Sequence, residues 1–210
     1  MAKKKQREAS PPSTSSLKKL SEASRDCTAC DLYKNATQTV FGQGGKNSRI
    51  MIVGEQPGDK EDLQGLPFVG PAGELFRRCI EEAGIDIDDI YLTNAVKHFK
   101  WKPAGKARLH QKPSLTEIRA CHPWLEAEMN AIKPKVIIAL GATGATSVLG
   151  RVPKITAERG KVISGEEAAD MIIISWHPSA ILRGYDTEDA ALKRKQLVAD
   201  LKLAKKSLEK

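Results

Sequence analysis

Cys27, Thr28, Ala29 and Cys30 form a CxxC, and Cys121 stands far downstream. Two thiolates close in sequence can bind one edge of a metal site, while a remote third ties the rest of the chain to it. Cys79, His98, His110 and His122 are the candidates for a fourth ligand. Cys79 sits mid-helix among Phe76, Ile80 and Ala83, where a thiol reads as a small buried hydrophobe. On residue types alone zinc is the simplest occupant, and the spacing does not separate zinc from an iron–sulfur cluster. The N-terminus lacks the apolar core of a secretory signal, so a cytoplasmic location is expected and structural disulfides are not.

These residues need a scaffold. Short runs rich in Ile and Val at 49–53, 90–94, 135–140 and 171–175 are bounded by Gly, Pro or polar residues, as buried parallel strands are. Helical patterns occupy about 72–83, 114–132, 142–149 and 187–208, and Ser114 with Glu117 makes a capping box at the start of the second. The alternation predicts an α/β fold, a three-layer α/β/α sandwich around a mainly parallel four-stranded central sheet. With 210 residues the chain has enough for one well-cored domain, expected over 17–210. Residues 1–16, with Lys3, Lys4 and Lys5 followed by a Ser/Pro/Thr-rich run, read as a flexible basic tail.

Directly after the four runs come Gly54 to Gly58, Asn94 to His98, Gly141 to Thr143, and Trp176 to Ser179. Ligands of open parallel sheets bind outside the carboxyl ends of the strands, so these segments should meet at one pocket. The net charge of +8 favours a polyanionic partner, nucleic acid first. No apolar stretch approaches the roughly 20 residues of a membrane helix, so no membrane partner is expected. A monomer is the expectation, since nothing in the pattern calls for a second copy.

Several motifs, in order from Cys27 to Arg183, closely resemble the family 4 uracil-DNA glycosylases, which carry a four-iron cluster. They are Cys27 to Tyr33, Thr39 to Gly42, MIVGEQPGDKEDLQGLPFVGPAG from Met51 to Gly73, Thr93 to Lys97, and His177 to Arg183. Gln56, Asp59 and the inserted KWKPAGKARLHQKP from Lys100 to Pro113 resemble the UdgX-type subgroup more closely. Members of that subgroup form an irreversible bond to the DNA they have stripped of uracil. Their loop usually reads Lys-Arg-Arg-Ile-His, whereas this chain has Lys106, Ala107, Arg108, Leu109 and His110. The resemblance implies a 4Fe-4S cluster on Cys27, Cys30, His98 and Cys121, with histidine where ordinary family 4 members have a fourth cysteine.

The resemblance also implies uracil-containing DNA as partner, with a single strand accepted or preferred, because a base inside a duplex cannot be reached without rotating it out. Asn94 would read the uracil edge, its amide offering an acceptor and donors for N3–H and O4, while Phe68 stacks on the ring. Gly54 and Asp59 join the expected substrate-binding set, and Ser179 at a helix start would hold phosphate. Breaking the N-glycosidic bond leaves positive charge on the sugar and negative charge on the base. His177 would stabilise the departing base through uracil O2. His110 would attack C1′, Glu55 would orient it and accept its ring proton, and Gln56 would position a neighbouring group or water. Lys97, Lys106, Arg108 and Arg183 would track the DNA backbone. Two rivals stand beside this reading: a turnover glycosylase in which water attacks, and a protein that binds nucleic acid without catalysis.

Overall fold

A computed structural model describes residues 7–165 and 169–209. In chain order it contains α1 (Leu17–Ser24), β1 (Ile50–Gly54), α2 (Asp59–Gln64), α3 (Pro71–Ala83), β2 (Ile90–Asn94), β3 (Trp101–Ala104) and β4 (Ala107–His110). Then follow α4 (Leu115–Ile132), β5 (Val136–Leu140), α5 (Gly141–Leu149), α6 (Ile155–Glu158), β6 (Val162–Ser164), β7 (Met171–Ser175), α7 (Pro178–Leu182) and α8 (Glu188–Ser207).

The Ile- and Val-rich runs are buried on both faces, and their side chains alternate between two helical layers. Ile50 and Ile52 pack with Phe76 of α3 and with Leu197 and Leu201 of α8. Met51 and Val53 point the other way, to Leu125, Met129 and Ile132 of α4. Each such side chain, fully withdrawn from water, contributes about 1.5–3 kcal/mol. The expected capping box is present: Ser114 Oγ accepts the Glu117 N–H, and the Glu117 carboxylate accepts the Ser114 N–H. Left-handed glycines close α3 at Gly84 and α5 at Gly150.

The sheet has five strands rather than the expected four, in the order β2-β1-β5-β7-β6. All pairs are parallel except β6–β7. The extra strand is a three-residue edge segment with no buried residue, too short for an alternation to register in the sequence. A second correction concerns the inserted loop, which is an antiparallel hairpin pairing Trp101 with His110 and Ala104 with Ala107. Gly105 takes the left-handed conformation at its turn. Lys3, Lys4 and Lys5 lie outside the described residues. Residues 7–16 hold no helix or strand, yet Ala9 is buried and its N–H donates to the Ala120 carbonyl at 2.9 Å, which fastens this stretch to α4. No helix among the described residues is long and apolar enough to cross a membrane.

Candidate active site and thiol cluster

Chain direction places the site. From β1 the chain moves outward to β2, then returns to lay β5 on the opposite side of β1, so the crevice at the carboxyl ends of β1 and β5 is a topological switch point. A cavity of about 810 Å³ opens there, lined by Glu55, Phe68, Asn94, His110, Gly141, His177, Ser179 and Arg183 among others. The four strand-end segments therefore meet, as their spacing requires.

Glu55, the residue after β1, is the centre of the polar wall. His110 Nε2 stands 3.2 Å from its Oε1, and Thr143 Oγ1, on the first turn of α5, donates to its Oε2 at 2.6 Å. Burial raises the Glu55 pKa, but hydrogen bonds from His110 and Thr143, with the nearby His177, outweigh it and hold the carboxyl below its ordinary range. His177 caps α7. Its Nδ1 accepts the Ser179 N–H at 3.2 Å and lies 2.7 Å from Ser179 Oγ. Burial pushes the His177 pKa down to about 4 despite the attraction of Glu55. The ring is thus neutral at neutral pH, and with Nδ1 accepting, its proton sits on Nε2.

Gly54 pairs with Asn94 across β1 and β2. A Cβ on Gly54 would stand 2.3 Å from Asn94 Oδ1 and 2.9 Å from Phe68 Cζ, so the missing side chain is what lets amide and ring share one pocket. Phe68 has φ +58°, a left-handed conformation that a phenylalanine rarely adopts and that persists only when the surroundings enforce it. Gly73 supplies part of that enforcement, since a Cβ there would lie 1.9 Å from the Phe68 carbonyl oxygen.

Two sequence expectations, for Arg108 and Lys97, are corrected, and Gln56 and Asp59 are given partners. Gln56 positions a neighbouring group, the base of the hairpin: its Nε2 donates to the carbonyls of Lys100 (3.2 Å) and Gln111 (3.1 Å), and its Oε1 accepts the Lys100 N–H (3.1 Å). Arg108 does not face phosphate. Its guanidinium bonds Asp59 and, at 2.6 Å, the buried Asp62 of α2, and it lies over the rings of Phe99 and Trp101. Asp59, on the cavity wall, is turned to that arginine. Lys97, expected on the DNA backbone, is 1% exposed; it is ion-paired to Glu128 and donates to Thr93 Oγ1 and the Asn94 carbonyl. Lys106 at the hairpin turn and Arg183 at the cavity rim are exposed, as phosphate contacts must be.

Sequence reading missed two acidic groups. Glu128 accepts hydrogen bonds from Gly42 N–H, Tyr91 Oη, Thr93 Oγ1 and Lys97 Nζ. Its signal was a carboxylate at helical spacing with Cys121, Trp124 and Leu125, on the buried side of α4. Asp62 lies one helical turn after Asp59, and that pairing of carboxylates was its only mark.

Cys27, Cys30 and Cys121 gather in a separate core region with Leu32 and Trp124. Each sulfur faces an N–H: Trp124 Nε1 donates to Cys27 at 3.2 Å, Lys97 N to Cys121 at 3.3 Å, and Leu32 N to Cys30. Burial pushes the Cys121 thiol up to about 12, and Lys97 pulls against it. All four cysteines are free thiols, with Cys79 buried alone in the core beside Phe76 and Ile80. His98 is buried, with its pKa lowered to about 4 by desolvation against the pull of Asp62. Among the described residues no group of three or more His, Cys, Asp or Glu side chains is arranged to hold a metal ion, so the structure brings the three thiols to one region without closing a site.

A family model described as the uracil DNA glycosylase superfamily matches residues 41–202. The type-4 uracil-DNA glycosylase of Thermotoga maritima is 37% identical over 192 residues, spanning 91% of this chain and 94% of that protein. That of Pyrobaculum aerophilum is 35% identical over 173 residues, spanning 80% and 85%. The crystal structure of SMUG2 from Pedobacter heparinus superimposes with a TM-score of 0.54 at 16% identity, covering 76% of this chain and 77% of that one, a likeness of fold. By sequence and architecture together, this chain belongs to the uracil-DNA glycosylase superfamily.

Proposed function

We propose that this protein is a uracil-DNA glycosylase that removes uracil from a single-stranded or flipped-out deoxyuridine and is then joined to the sugar through His110. One observation carries the reading: the His110 imidazole lies inside the cavity, in contact with the ionised Glu55. Base excision itself is supported by the superfamily match and by the type-4 relatives.

In this reading uracil sits between Phe68 and the Asn94 amide, whose oxygen accepts N3–H and whose nitrogen donates to O4. Cytosine presents the reverse pattern and leaves the amide unpaired, a penalty of about 1–3 kcal/mol. As the C1′–N1 bond breaks, its electron pair goes to the base, and His177 Nε2–H donates to O2, where the charge collects. The cation at C1′ faces the Glu55 carboxylate. The lone-pair nitrogen of His110 forms the new C1′–N bond, and the proton on the ring's other nitrogen passes to Glu55. An N-linked sugar of this kind has no easy route to hydrolysis, because imidazole remains fixed beside its own leaving position. Lys106 and Arg183 contact the backbone, which makes binding salt-dependent and indifferent to sequence.

The thiol region suits an iron–sulfur cluster. Three sulfurs with N–H donors facing them and Lys97 beside Cys121 have the chemistry of cluster ligands, and His98 offers a neutral buried imidazole. Cys27, Cys30, Cys121 and His98 are the residues proposed to hold it, and the cluster would supply structural cross-linking there.

A uracil-containing oligonucleotide run on a denaturing gel after incubation tests the proposal. The expected result is a heat-resistant protein–DNA band that His110→Ser abolishes while uracil excision continues. A free abasic product with no such band from the wild-type protein would establish the second reading, turnover with water as nucleophile, with which the type-4 relatives are equally consistent.

A further inference from the structure

The cavity is larger than a single flipped nucleotide fills, and beyond the Phe68–Asn94 pocket it extends to Ile155 and Trp176. Trp176 lies between the end of β7 and His177, and its side chain is half-buried. Its indole N–H donates to Gln196 Oε1 of α8 at 2.6 Å. The Lys193 ammonium lies 5.2 Å from the ring centroid and is itself paired with Asp189 one turn earlier. Two side chains of one helix therefore fix the ring, one at its polar edge and one over a face. A ring already fixed, with its only donor satisfied, loses little freedom when a flat partner stacks on it. The mechanism uses none of these three groups.

We infer that Trp176 is the stacking shelf for the nucleobase next to the flipped uridine, on the strand that leaves the cavity past Arg183. Gln196 and Lys193 are its positioning residues. Every nucleobase has a face for such a shelf, so the subsite recognises a continuous single strand without choosing its sequence. This subsite rests on reading the cavity as a uracil-DNA site.

The test uses oligonucleotides with one uracil in which either the 5′ or the 3′ neighbour is replaced by a tetrahydrofuran spacer lacking a base. Single-turnover half-saturation is measured for the wild type, Trp176→Ala and Trp176→Phe. One of the two spacers is expected to raise the wild-type value about tenfold, the loss of one stacked base. The same spacer should leave Trp176→Ala unmoved, and Trp176→Phe should keep most of the sensitivity. Equal sensitivity in wild type and Trp176→Ala, or none in the wild type, would overturn the assignment. If Trp176→Ala does not fold, Gln196→Ala, which frees the ring edge while keeping the ring, must weaken the spacer effect for the inference to stand. A wild-type protein that leaves uracil in place would defeat the glycosylase reading instead, and dissociation constants from fluorescence anisotropy with the same oligonucleotides would then judge Trp176 by the same comparison.

Discussion

At the scale of single residues, the proposed mechanism rests on two histidines whose neighbours hold them differently. His110 is 48% exposed on its side chain and touches Glu55 from the hairpin side, whereas His177 is pinned by Ser179 at the start of α7. The folded-state pKa of His177, about 4, lies below the ordinary histidine value of 6.5, so folding favours the neutral ring. Its contribution to stability is complete above about pH 6.5 and is lost as the pH falls towards 4. Glu55 is depressed as well, and its contribution also disappears in acid. Thermal stability should fall on acidification through this window, and the single-turnover excision rate should stay level from pH 8 to 6 before dropping towards pH 4. A rate that climbs as the pH passes downward through 6.5 would show that an imidazolium, not the neutral Nε2–H of His177, serves the leaving base. The roles of Glu55, His110, Asn94 and His177 came from the family resemblance, since residue types alone gave only the strand-end segments that carry three of them. Residue types misplaced Lys97, because a lysine in a basic stretch reads as solvated until Glu128, 31 positions on, is seen to face it.

At the scale of elements, the proposed capture step depends on how firmly the β3–β4 hairpin is seated. Three attachments hold it: the Gln56 clamp at its base, Arg108 on Asp59 and Asp62, and Trp101 Nε1 donating to the Asn35 carbonyl at 2.8 Å. Arg108 is the central one, since Asp62 is fully buried and relies on it together with the Thr37 N–H. Arg108→Ala would leave that carboxylate without its cation, costing about 1–3 kcal/mol, and would let His110 drift from Glu55. Because a misplaced nucleophile loses much of its proximity advantage, the adduct should form about tenfold or more slowly, while base release, assigned in the proposed mechanism to His177 and Asn94, changes far less. A time course separating abasic product from covalent complex measures both; equal slowing of the two would place Arg108 in binding rather than in positioning. The central strands and long helices were legible because 3.6- and 2-residue periods and the Ser114–Glu117 box are local signals. The hairpin and β6 were not: four-residue strands carrying Lys, Pro and Ala in one case, and a half-exposed Val-Ile-Ser in the other, show no period, and only tertiary contacts order them.

At the scale of the molecule, two regions must remain in register: the cavity at the strand ends and the thiol region where the N-terminal segment meets α4. Residue 97 joins them, its N–H on Cys121 and its ammonium on the Asn94 carbonyl. Cys27 and Cys30 lie in the 25 residues that separate α1 from β1, a stretch with a single short 3-10 turn and little regular structure of its own. A cluster bound there would cross-link this stretch to α4, and its binding free energy would become folding free energy. Protein purified without oxygen is therefore expected to contain about four irons per chain and to absorb broadly in the visible. Removing the iron with a chelator should lower Tm by about 5–10 °C, the size of shift that 2–3 kcal/mol produces in a domain of this length. Limited proteolysis should then cut first between Cys27 and Arg49, with the sheet still intact. Cys121→Ser should reproduce the loss of colour, whereas Cys79→Ser, in the other core, should keep the iron and lose only packing energy. An iron-free protein whose melting temperature ignores chelation would mean that the three thiols are ordinary core residues, and that Trp124, Phe41 and Leu32 hold the N-terminal segment by packing alone.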